Sequence, residues 1–236
     1  MINFPSLVAT NASRMKMAAG PEVSCIEFGL RRAQGPNGAC LASKYSYVGG
    51  FDGTSNVYSA YVNPSIPVLG TQAHSFIMSF ESIDDIAKCR TLDGVDLLEK
   101  ALAYRKEMGK TNTVLNELYA FVAYAVSYPA TFNALVDSYS TMDSGCFNFI
   151  VVAAALKDLG YEAKSIRLDS GDLAGLSAYC KLQFATAADY FKMEFFRNVK
   201  VVASNDINEV RIREFKKDNH QIDVMGIGTN LVTCQA

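Results

Sequence analysis

From Ala163 onward the chain writes one pattern three times, and that repetition restricts the fold more than any other feature. The apolar run Ala163 to Leu168 leads into Asp169-Ser170-Gly171, and then into an amphipathic stretch opened by Asp172-Leu173. Val199 to Ala203 leads into Ser204-Asn205-Asp206. Here Asp206 and Glu209 have capping-box spacing for a helix through Val210, Ile212 and Phe215. Ile222 to Met225 leads into Gly226-Ile227-Gly228-Thr229. An apolar run, a turn of small residues and a helical stretch, in that order, make a parallel βα unit. The chain is therefore expected to be α/β. Ligands of such folds gather at the carboxyl ends of the strands, whether the sheet is open or closed into a barrel.

Composition narrows the class. Half of the 236 residues are hydrophobic and 19% are charged, which is globular and not disordered. The formal charge is −2 with no basic tail, so nucleic acid is not an expected partner. Six cysteines at 25, 40, 89, 146, 180 and 234 form no C-x-x-C pair. They read as thiols in a reducing compartment, and zinc is not expected. No basic-then-apolar leader opens the chain, and no apolar run approaches the roughly 20 residues that span a bilayer. A cytoplasmic protein with no membrane contact is the expectation.

Periodicity predicts helices over 6–19, 116–128 and 145–159, the first stopped by Gly20-Pro21, the second by Pro129 and the third by Gly160. Strands are predicted over 44–48, 66–69 and 132–139. Residues 82–112 are the most charged and read as a surface insertion with solvated charges. No linker or repeat divides the chain, so a single domain over 1–236 is expected.

Several short motifs bear on chemistry. Gly226-Ile227-Gly228 lacks the third glycine of a dinucleotide fingerprint, since position 231 is Leu. Gly109-Lys110-Thr111 lacks the first glycine of a P-loop, since Tyr104 stands there. Arg31 and Arg32, inside Gly29 to Pro36, suit bidentate recognition of phosphate or carboxylate, or else form an exposed basic loop. Gly49-Gly50-Phe51-Asp52-Gly53-Thr54-Ser55-Asn56 is either an amide cradle for an anion or a plain turn. His74, in Gly70-Thr71-Gln72-Ala73-His74-Ser75, follows a predicted strand end, the place for a nucleophile or general base.

Taken in order, these segments resemble nicotinate phosphoribosyltransferase of the type II phosphoribosyltransferases. The matching runs are Ser6 to Ala12, Glu27 to Gly35, Gly49 to Asp52, Gly70 to Ser75, Ile166 to Leu173, Ala203 to Glu209 and Gly226 to Thr229. The resemblance implies an irregular TIM-like α/β barrel core, here incomplete at both ends, because family members extend beyond residues 1 and 236. It implies an enzyme that joins nicotinate to phosphoribosyl pyrophosphate, driven by ATP hydrolysis, in NAD synthesis. Under it His74 is the phosphohistidine and Asp169 the acid on the ribose side. Arg167 and Thr71 contact nicotinate. Gly171, Gly228 and Thr229 cradle the 5′-phosphate, Arg31 and Arg32 face phosphates, and Asn205 lies on the substrate. Mg²⁺ or Mn²⁺, with metal ligands unassigned, ATP as co-substrate and a homodimer complete the implied set. Two alternatives remain open: a truncated, inactive chain that associates with a full-length partner, and a relative that uses nicotinamide. Glu27 bears on the latter, standing where nicotinamide enzymes carry an aspartate.

Overall fold

The computed structural model describes residues 3–235. The chain packs as two compact units, Thr71–Val201 and the residues before and after it, up to Gly70 and from Val202. No linker composition marks the division, which a sequence without composition shifts does not reveal.

The discontinuous unit opens with α1 (Asn3–Ala19), which buries Val8, Ala12, Met15 and Ala19 along one face and stops at Gly20 with φ +88. β1 (Ser24–Glu27) follows, then α2 (Gly35–Val48), β2 (Gly53–Thr54) and α3 (Val57–Val62). Lys44 to Val48, expected as a strand, is the last part of α2. Its alternating tyrosines mimic a period of two, but Ala39, Ala42, Ser43 and Ser46 form the buried face of a helix while Tyr47 and Val48 are exposed. The expected strand 66–69 is reduced to one parallel bridge, Thr54 with Val68, beside Pro67, which has no N–H to give. The glycine loop 49–52 is a turn. The amides of Gly49, Gly50, Phe51 and Asp52 donate to Tyr45, Tyr47, Ser46 and Cys25 carbonyls, leaving none for an anion. Asp52 instead accepts from Lys16 Nζ (2.7 Å) and from the Cys25 amide (2.8 Å).

Within Thr71–Val201 the short helix α4 (His74–Ile77) comes first. A hairpin of β3 (Thr91–Leu92) and β4 (Val95–Asp96) turns through Asp93 and Gly94, both at positive φ. Asp96 then caps α5 (Leu97–Glu107) by accepting from the Glu99 amide. Next come α6 (Leu115–Ser127), β5 (Asn133–Leu135), a π-turn at Thr141–Gly145, α7 (Cys146–Asp158), β6 (Ser165–Leu168) and α8 (Leu173–Phe191). Every residue of α7 from Cys146 to Leu156 is buried, and the helix touches α5, α6 and α8. Residues 82–112 are thus more than a solvated insertion: Ile86, Leu97, Leu98 and Ala101 are buried and α5 packs on α7. Most of their charges are exposed, but Arg105 is buried, where its guanidinium donates to Thr113 Oγ1 (2.7 Å) and to the Thr113 carbonyl (2.7 Å), which composition alone does not separate.

The chain passes back into the first unit along β7 (Lys200–Ser204) and completes it with α9 (Glu209–Lys217), β8 (Val224–Ile227) and α10 (Thr229–Val232). The cap of α9 is Asn208, which accepts from the Arg211 amide, and not Asp206, whose φ of 49 places it in the preceding turn. β2, β1, β8 and β7 lie side by side in that order, all parallel. β5 and β6 form a second parallel pair. This is the α/β architecture expected. Among the described residues no helix is long and apolar enough to cross a membrane.

Candidate active site

Register builds the principal site. β5 and β6 pair as Asn133 with Ser165, Ala134 with Ile166 and Leu135 with Arg167. Two residues further on, Asp137 therefore emerges beside Asp169 at the carboxyl edge. In β6, Ile166 and Leu168 are fully buried, while Arg167 and Asp169 share the other face and pair at 2.7 Å. Gln72 fixes a third segment here. Its side-chain amide donates to the Asn133 carbonyl and accepts from the Leu135 amide, imitating a neighbouring strand along β5. That anchor sets Thr71 against Arg167 Nη1 (2.7 Å) and delivers His74 as the first residue of α4. Arg167 Nη1 also donates to the Gln72 carbonyl (2.9 Å).

The His74 ring lies among these groups. Nδ1 is 3.0 Å from Ser138 Oγ, and Nε2 is 3.5 Å from Asp169 Oδ2 and 4.0 Å from Asp137 Oδ1. Asp137 Oδ2 accepts from the Asp169 amide (2.8 Å) and from Ser170 Oγ (2.6 Å). Its Oδ1 is buried with no hydrogen-bond partner and faces the imidazole. The His74 side chain is 38% exposed, open enough to meet a ligand. An imidazole between carboxylates on one side and a hydroxyl on the other can act as nucleophile or proton carrier.

Four expected residues, Thr71, His74, Arg167 and Asp169, thus converge in Thr71–Val201. Gly171 follows them at φ +78, in the turn that leads to the Asp172 cap of α8. Asp137, Ser138 and Gln72 were not singled out from sequence. The signal was present: Val136-Asp137-Ser138 repeats Leu168-Asp169-Ser170, an apolar strand end followed by Asp-Ser.

The other expected residues belong to the discontinuous unit. Glu27, wholly buried at the end of β1, accepts from Ser43 Oγ (2.8 Å), Thr54 Oγ1 (2.6 Å) and the Gly29 amide. A carboxylate out of water needs such partners. Here they fix the Gly29 turn, where a Cβ would collide with Val232 of α10. Beyond it Arg31 and Arg32 lie exposed on a single 3₁₀ turn, and no side-chain ion pair of either is present among the described residues. Gly228 and Thr229 follow the neighbouring strand β8, and a Cβ at Gly228 would press on the Phe28 carbonyl at 3.2 Å. Asn205 is exposed in the turn after β7 with φ 85. The unit thus carries its own group of polar residues at the carboxyl ends of β1, β8 and β7. Among the described residues no three His, Cys, Asp or Glu side chains are grouped to hold a metal.

Residues 23–235 match the model of the nicotinate phosphoribosyltransferase (NAPRTase) family. The chain belongs to that family. A nicotinate phosphoribosyltransferase of Dictyostelium discoideum is 52% identical over 240 residues, covering 100% of this chain and 41% of that protein. The Homo sapiens relative of the same name is 41% identical over 247 residues, covering 99% of this chain and 46% of its own. The crystal structure of human nicotinic acid phosphoribosyltransferase superposes with a TM-score of 0.87 at 40% identity, over 95% of this chain and 47% of that one. The chain therefore spans less than half the length of these family members.

Proposed function

We propose that this chain carries phosphoribosyl transfer to nicotinate, giving nicotinate mononucleotide and pyrophosphate, coupled to ATP hydrolysis, in NAD synthesis. Membership of the family supports the substrate pair. The observation that carries the reading is His74 set between Ser138, Asp137 and Asp169, with Arg167 beside it.

In the transfer, the pyridine nitrogen forms a bond to the anomeric carbon of the ribose as the bond from that carbon to pyrophosphate breaks. Positive charge grows on the ribose, and Asp169 and Asp137 are anions suited to meet it. Arg167, steadied by Thr71, is the guanidinium suited to the nicotinate carboxylate. In the ATP half-reaction an imidazole nitrogen of His74 takes the γ-phosphoryl group as the bond to ADP breaks. Arg31, Arg32, Gly228, Thr229, Gly171 and Asn205 are assigned to substrate phosphates and ribose. Mg²⁺ or Mn²⁺ would enter with the phosphates, since Mg²⁺ commonly rides on phosphate oxygens with few protein ligands. It would offset pyrophosphate charge. A homodimer is part of the proposal, and six unpaired cysteines support a cytoplasmic place.

The test is incubation of the chain with nicotinate, phosphoribosyl pyrophosphate, Mg²⁺ and ATP, with nicotinate mononucleotide quantified. Calorimetric titration with nicotinate and with nicotinamide would run beside it. The expected result is nicotinate binding in preference to nicotinamide, weakened at least tenfold in Arg167→Ala, and ATP-stimulated product that disappears in His74→Ala. A folded chain that binds neither pyridine, or prefers nicotinamide, overturns the assignment. ATP stimulation undiminished in His74→Ala overturns the role of the histidine.

A further inference from the structure

We infer that Ser138 is a positioning residue that holds His74 with its ring proton on Nε2. Two faces of the ring carry the argument. Nε2 points at Asp169 Oδ2 (3.5 Å) and Asp137 Oδ1 (4.0 Å), the second of which is buried and receives no hydrogen bond. A lone pair on Nε2 would face those oxygens with repulsion, whereas an N–H there is attracted to both. The neutral ring therefore keeps its proton on Nε2, and Nδ1 is the acceptor. The group 3.0 Å from Nδ1 is Ser138 Oγ, which donates to it.

A serine fits this post better than a carboxylate or an amide would. Its hydroxyl rotates, donating to Nδ1 while the ring is neutral and accepting from it once Nδ1 carries hydrogen. Ser138 thus stays bonded to Nδ1 in the neutral and in the doubly protonated ring, and the ring plane keeps its direction through the change. The placement follows from the chain. Ser138 is one residue past Asp137, so the strand end that supplies the anion for one nitrogen supplies the hydroxyl for the other. The role in catalysis rests on the reading of His74 as the reacting group; the tautomer itself rests on geometry alone.

The chain has two histidines, so ¹⁵N-labelled protein gives a spectrum with two imidazoles. His220 is an internal reference. Its Nδ1 accepts from the Ile222 amide at 3.0 Å, so its neutral ring carries the proton on Nε2. Long-range ¹H–¹⁵N spectra would be taken at about pH 8.5, some two units above an ordinary histidine. The expected result is that both rings show a pyrrole-type Nε2 and a pyridine-type Nδ1. In Ser138→Ala the His74 Nδ1 signal should move toward that of an unbonded imine nitrogen, with the His220 signals unchanged. Ser138→Thr, which keeps the hydroxyl, should restore the wild-type position. Backbone amide signals of Thr71–Val201 that match wild type would show that each variant folds.

A His74 proton on Nδ1 in the wild type overturns the inference. So does a Ser138→Ala spectrum identical to wild type. None of these readings depends on turnover, so an absence of nicotinate mononucleotide would count against the function and leave the tautomer standing.

Discussion

The Glu117 carboxyl lies wholly inside Thr71–Val201, where its Oε2 accepts from Ser144 Oγ (2.6 Å) and Asn148 Nδ2 (2.9 Å). Its Oε1 and the Asn148 Oδ1 are both buried without a donor. A proton on Oε1 turns that buried, unpartnered acceptor into a donor, which an ionised carboxylate cannot be. Burial pushes Glu117 up from 4.5 to about 7, against the Ser144 and Asn148 hydrogen bonds, with the charge of Asp137 adding to the rise. In the unfolded chain the carboxyl is ionised above about 4.5, while in the folded chain it holds its proton to about 7. Between those values the folded state binds the additional proton, so raising pH lowers stability. The contribution is whole below about 4.5 and lost as pH passes about 7. Glu117→Gln keeps the shape and supplies the donor at every pH. Unfolding free energies from urea curves at pH 5 to 8.5 should fall for the wild type relative to this variant, by about 3 kcal/mol across the window. Parallel curves would show that Glu117 titrates normally.

Between β5 and α7 the chain crosses itself at one point, and a glycine makes the crossing possible. A Cβ on Gly145 would sit on the Val136 carbonyl oxygen, at the strand end from which Asp137 and Ser138 emerge. The π-turn at Thr141–Gly145 sets this approach, since its extra residue per turn aligns α7 with the strand. Gly145→Ala should cost more than about 2 kcal/mol in urea unfolding, because backbone and not a flexible side chain must yield. Gly38→Ala, inside α2 with the nearest heavy atom at 3.5 Å, should be neutral or stabilise by up to about 1 kcal/mol. Equal effects from the two would refute the close-approach argument. Elements of this kind mark how far the sequence is legible. Long helices with one apolar face and the three strand-turn-helix units could be read directly, and Arg167 and Asp169 with the first of those units, whereas His74 was reached through a preceding strand 66–69 that is reduced to one bridge. Lys44 to Val48 was misread because five residues of alternation suit a helix as well as a strand. Asp137 and Ser138 carry a local signal, the strand-end Asp-Ser shared with Asp169-Ser170, but that the two ends meet follows only from the register between β5 and β6. Gln72 has no local signal at all, because its role is to imitate a strand beside β5. The glycine loop at 49–52 misled for a related reason, since its amides are bonded by residues of the neighbouring elements.

At the scale of the whole chain, connectivity distinguishes the two units. Thr71–Val201 is one continuous stretch, whereas the other unit joins two segments from either side of it. If the continuous unit unfolds, the discontinuous one must close a loop of about 130 residues, at an entropic cost of roughly 4 kcal/mol from (3/2)RT ln n. If the discontinuous unit unfolds, the continuous one loses no such constraint. Chain topology therefore predicts an order: the discontinuous unit opens first or together with the other, never after it. The cysteines report this without an added probe. Cys25 is fully buried in the discontinuous unit, and Cys146 and Cys180 are fully buried in the continuous one. Burial pushes the Cys25 thiol up to about 12, and Cys146, against Cys180 and out of water, is raised as well. Neither supplies thiolate for labelling until its unit opens. Cys40, Cys89 and Cys234 are half-buried and should label in the native state, or be replaced by serine to clear the background. Pulse labelling over a urea series, read by peptide mass, should then find Cys25 modified at the same urea concentration as Cys146 and Cys180, or at a lower one. Modification of Cys146 and Cys180 while Cys25 stays protected would mean that the discontinuous unit stands without its inserted neighbour, and that interactions inside it outweigh the cost of closing the loop.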